Sequence, residues 1–138
     1  MNYTDLLQFD ERIRPSNPNS DLIEFNGKHE WPNAQTFENA FYWLTLQSYR
    51  RDASEKDPAI IKAFSDMIQK AITDALAKND WLAYYQHCHT AYTFLNGLTD
   101  VSVYKTELQS ISANDLYKKA LAQKNETLNK EALSLIHI

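Results

Sequence analysis

The segment that opens at Asp57-Pro58 constrains this chain's fold more than any other. An aspartate just before a helix accepts a bond from one of its unpaired first-turn N–H groups, and proline at the first helical position gives up nothing there. Ile60, Ile61, Phe64, Met67, Ile68, Ala71, Ile72, Ala75 and Leu76 then recur at helical spacing and predict a buried side. Opposite them Lys62, Asp66, Lys70, Asp74 and Lys78 alternate in sign every fourth residue, the pattern of a solvated row of attracting pairs. A helix so strongly one-sided requires further helices to cover it.

The remaining punctuation supplies them. Tyr3 to Ile13 reads as a short helix ending before Pro15, and Pro15 to Ser20 as a loop. Leu22 to Phe25 and Lys28 to Trp31 flank Asn26-Gly27, which predicts a β-hairpin because Asn-Gly supplies the positive φ angles of a type I′ turn. Pro32 ends that element and Asn33 caps a helix from Ala34 to Arg51. Asp80 caps another, which stops at Asn96-Gly97. Thr99 or Asp100 starts the next, with Val101, Tyr104, Leu108 and Ile111 on one side; Ser112 to Asp115 resembles a capping box before a last helix carrying Leu116, Ala120 and Leu121. Short links imply antiparallel packing. The expected fold is mainly α, a compact domain of about five helices with one N-terminal β-hairpin.

At 138 residues the chain suits one domain, assigned to residues 1–132. Leu133 to Ile138 matches the in-frame translation of a common transposase-derived sequencing adapter, so 133–138 is read as a non-native tail on a chain of microbial or phage origin. A single cysteine rules out an internal disulfide framework, and a charged first stretch carries no secretory signal, which gives a cytoplasmic expectation. The longest apolar run, Ala40 to Leu44, is far short of a membrane span. Net charge is −4, and six acids against three bases in residues 1–32 place most of it at the front. Without a basic stripe, nucleic acid is not expected as the main partner.

His87-Cys88-His89, inside the aromatic run Trp81 to Phe94, is the sharpest apparent motif. On a helix, residues two apart diverge by about 200°, so the histidines cannot share an ion, and neither has a carboxylate within a turn. No metal and no cofactor is expected. Cys88 falls mid-helix on the apolar stripe without a nearby cation, as a buried hydrophobe does. His87 flanks that stripe near Tyr84, Ala91 and Phe94, and is the candidate acid–base group if a pocket lies beside it, with Tyr84 or Tyr85 donating a hydrogen bond. Only two glycines exclude a phosphate-cradling loop.

The helix 34–51 carries two apolar stripes, Phe37, Ala40, Phe41 and Leu44 on one side, and Tyr42, Trp43, Leu46 and Tyr49 on the other. If the first is the core face, the second presents aromatics to a partner; the alternative is that both are buried between neighbours. The functional expectation is a non-enzymatic protein-interaction module, such as a small inhibitor, immunity or anti-defence protein that blocks sterically. Tyr42, Trp43, Leu46 and Tyr49 would be its anchors, and Glu24 and Glu30 would meet a basic surface on another protein. The alternatives are a small enzyme or ligand-binding protein with a pocket beside His87, and a nucleoprotein subunit using Arg50, Arg51 and Lys56. Trp31-Pro32 leading into a helix also resembles the start of the NADAR fold, in which an acidic residue follows; here that position falls near Gln35, and no function or residue is carried over.

Overall fold

A computed structural model describes the backbone of residues 3–17, 20–22 and 31–136, with side chains between residues 6 and 130 of those ranges. Its α-helices are α1 (Tyr3–Ile13), α2 (Ala34–Arg51), α3 (Pro58–Ala77), α4 (Trp81–Leu95), α5 (Ser102–Ala113) and α6 (Asp115–Ile136), with a 3₁₀ turn at Ala53–Glu55. The chain is mainly α. The expected hairpin falls largely on residues 23–30, outside the described residues, as do Glu24 and Glu30; Leu22 and Trp31 are not in strands, and the described residues contain no strand. α6 continues as helix to residue 136, through most of the expected tail.

Each helix begins where local chemistry permits. Asn33, Asp57 and Asp80 accept from the N–H groups of Thr36, Ala59 and Ala83 at 2.9, 2.8 and 3.0 Å. Each such cap contributes about 1 kcal/mol. The α6 cap differs from the expected box: Asn114, not Ser112, accepts from Leu116 N–H at 2.8 Å. An asparagine directly before the helix reaches its N–H groups, whereas Ser112 lies within α5 and donates to Leu108 O. Gly97 takes φ +79° beyond α4, the left-handed conformation expected there, and Asn79 takes φ 56° between α3 and α4.

α4 is the central element, packed against α2, α3, α5 and α6. Phe64 of α3 stacks on Phe94 of α4 at 5.2 Å and meets Tyr42 of α2 at 5.3 Å, joining three helices. Leu46, Ile68, Cys88, Ala91, Leu95 and Ile111 complete this core. On α3 the expected apolar side is buried at Phe64, Ile68, Ile72 and Ala75, but Leu76, at the end of the stripe, is exposed. The opposing charges pair as spaced, Lys62 with Asp66 and Lys70 with Asp74.

The two stripes of α2 are reversed relative to the first expectation. Leu46 and Tyr49 are buried, and Tyr42 and Trp43 pack half-buried against the core. Phe37, Phe41 and Leu44 are instead 43, 66 and 56% exposed. Arg50, one helical turn beyond Leu46, lies on the same inward side. Its guanidinium donates to the carbonyls of Thr93 and Asn96 at 2.7 and 2.9 Å and to that of Phe94, satisfying the C-terminal end of α4. These bonds and the packing of Tyr42, Trp43, Leu46 and Tyr49 together hold this side of α2 against α4 and α3.

Candidate functional site

The polar side of α4 carries Gln86, His89 and Thr90, spaced so that they share one face. All three converge on Asp21, whose side chain is 1% exposed. Thr90 Oγ1 donates to it at 2.7 Å, Gln86 Nε2 lies at 3.4 Å, and His89 Nδ1 at 3.1 Å. Arg14 Nη1 stands 3.2 Å from His89 Nε2, and Arg14 Nε donates to Asp10 at 2.6 Å. A guanidinium can only donate, so Nε2 accepts and Nδ1–H is the donor to Asp21. The chain Asp10–Arg14–His89–Asp21 thereby ties α1 and the segment at 20–22 to α4.

Next to this network the ring of Tyr85 lies between two others. It stacks on His89 at 6.3 Å and on Tyr117 of α6 at 4.9 Å. Tyr85 and Tyr117 line a cavity of about 510 Å³ between α4 and α6, with Asp80, Gln86, His87 and Lys124 as its other polar walls. A second cavity of about 440 Å³ between α1 and α6 shares Tyr117, Leu121 and Lys124, and reaches Asp10 and Arg14. Burial holds the His87 imidazole below the usual histidine range, with the nearby Asp80 charge acting in the opposite direction. Burial, reinforced by Tyr85, pushes the Tyr117 phenol up. At neutral pH both groups are therefore uncharged hydrogen-bonding sites, and the fixed charges of the α4–α6 cavity are Asp80 and Lys124.

The expected site residues separate. His87 lines the cavity, whereas Tyr84 is buried and donates to Glu107 at 2.6 Å, on a different side of α4. Burial, then this bond to Glu107, raise the Tyr84 phenol, which suits a structural strut and removes it from acid–base work at His87. Cys88 is fully buried, and burial followed by the Glu107 charge pushes its thiol up to about 12, the environment of an inert thiol. His87 lines the α4–α6 cavity while His89 bonds Asp21 and Arg14, and among the described residues no three His, Cys, Asp or Glu side chains gather to hold a metal. Leu46 and Tyr49 are core and cannot anchor a partner. Arg50 is consumed by the end of α4 and burial lowers its guanidinium, so of the three cations named for nucleic acid only Arg51 and Lys56 are exposed.

Asp21, His89, Arg14 and Asp10 had no advance signal as a group, because up to 75 residues separate partners in the bond chain. The face Gln86, His89 and Thr90 was legible: three hydrogen-bonding residues at i, i+3 and i+4 within an aromatic helix mark a buried polar partner. No protein-family model matches this chain, and no curated protein or solved structure is significantly similar to it. No helix of the described residues is long and apolar enough to cross a membrane.

Proposed function

We propose that this protein is a non-enzymatic interaction module whose docking surface is the outer face of α2, and that it acts by covering a surface of another protein. The observation that supports this reading is the row Phe37, Phe41 and Leu44, 43, 66 and 56% exposed at helical spacing, with Trp31 86% exposed just ahead of the helix. Isolated exposed hydrophobes are ordinary, but aromatics aligned along one helix are the composition of interface anchors. A shallow groove of about 700 Å³ runs between Phe37, Phe41 and Ile60 of α3, and among the described residues Glu38 is the one charge lining it. The complementary partner therefore presents apolar side chains beside a lysine or arginine. The anchors are displaced from the Tyr42 side of α2 to the Phe41 side, and the basic partner surface is retained.

The test is binding by the full chain carrying Phe41→Glu or Leu44→Glu, set against thermal unfolding of the same variants. A partner captured from the source cell should be lost by at least about tenfold, a change of about 1.4 kcal/mol, while the unfolding midpoint barely moves. Unchanged capture would refute the assignment of this face, and a dimer of the isolated chain abolished by Phe41→Glu would replace the foreign partner with a second copy.

A further inference from the structure

We propose that the cavity between α4 and α6 is a binding site for a planar heteroaromatic ring bearing an exocyclic amino group, a ligand of nucleobase type. None of its walls belongs to α2, so this site is separate from the docking face and independent of that reading. At about 510 Å³ it has the volume of small-molecule sites, which are mostly apolar with a few converging polar groups. Leu82, Ala83 and Leu121 supply the apolar surface.

The ring requirement comes from the stack His89–Tyr85–Tyr117, whose interplanar angles are 19° and 23°. Asp21 fixes His89, His89 backs Tyr85, and Tyr85 backs Tyr117, so the wall is set before any ligand arrives. A flat ring laid on Tyr117 extends the stack at little ordering cost. The amino requirement comes from the rim. Asp80 accepts hydrogen bonds and donates none, and Ala83 N–H occupies one of its lone pairs at 3.0 Å. Asp80 is exposed, so its other lone pairs are open to solvent and can accept from an exocyclic amine, as a carboxylate does in base recognition. Uncharged His87 and the Gln86 carbonyl oxygen can serve the remaining donors and acceptors of a ring edge. Lys124 lines both cavities and is the cation of this wall against which a phosphate attached to the ring is tested.

Cytidine and uridine differ at this one amino group and are the deciding probes. In saturation-transfer NMR and calorimetry on the full chain, cytidine should bind at least about tenfold more tightly than uridine. Asp80→Asn keeps a competent helix cap and should abolish that preference. Tyr117→Leu should weaken cytidine by about tenfold or more, with the unfolding midpoint recorded to separate this from lost folding. Cytidine monophosphate binding more tightly than cytidine, by a margin that Lys124→Met removes, would assign a nucleotide; equal affinity would assign the bare nucleoside. Absence of saturation transfer at millimolar cytidine, or cytidine and uridine binding alike with no response to Asp80→Asn, overturns the proposal.

Discussion

α2 and α4 both carry aromatic residues on more than one side, but α4 leaves none of its own exposed, whereas α2 leaves Phe37 and Phe41 in water. α4 has neighbours on four fronts, so Tyr84, Cys88, Ala91, Phe94 and Leu95 all find cover. α2 rests on the core along one side, and Phe37, Phe41 and Leu44 stay in water. The difference teaches that apolar residues around a helix predict burial only when other helices are available on every side. Where they are not, one side stays out, and here the inward side is the one that combines the Arg50 bonds with the packing of Leu46 and Tyr49.

The sharpest way to break this comparison is to truncate one phenylalanine from each helix. Phe94→Ala, at a site 1% exposed, should cost about 3–5 kcal/mol in urea unfolding, whereas Phe41→Ala should stay within about 0.5 kcal/mol. Similar losses would mean that the outer face of α2 is covered in the folded chain. Next in size is Asp21→Ala, which strands His89, Thr90 and Gln86 and should cost roughly 1–3 kcal/mol. Its effect should also appear as faster amide exchange in α1, which the Arg14–His89 bond holds to α4.

The smallest effect concerns acid. Folding lowers the affinity of His87 for a proton, so the unfolded chain binds more protons as pH falls through the ordinary histidine value of 6.5. Stability associated with neutral His87 is present above that value and is lost progressively below it, until the folded imidazole also protonates. Unfolding midpoints compared between pH 7.5 and 5.5 should fall less in His87→Gln than in the parent. An equal fall in both would detach the acid sensitivity from this residue.

Local features were readable from sequence because the residues that create them are adjacent. Asn33, Asp57 and Asp80 cap as their positions dictate, the four-residue charge spacing on α3 yields real pairs, and Gly97 adopts the expected left-handed turn. The rotation of α2 was not readable. Both of its stripes satisfy the same periodicity, and the deciding bonds join Arg50 to carbonyls more than 40 residues away. At the candidate site, divergence of His87 from His89 followed from helix geometry alone. The role of His89 did not, since its partners Asp21 and Arg14 come from the opposite end of the chain.

The division of α2 into a held and an open side also bears on how freely this protein can vary. The inward hold of α2 passes through Arg50 and the side carrying Tyr42, Trp43, Leu46 and Tyr49, whereas Phe37, Phe41 and Leu44 face water. Substitutions at 37, 41 and 44 can therefore change this outer surface without repacking the interior, while a lysine at position 50 would lose the fork that spans several carbonyls at once. The outer row of α2 can thus vary independently of the scaffold that carries it.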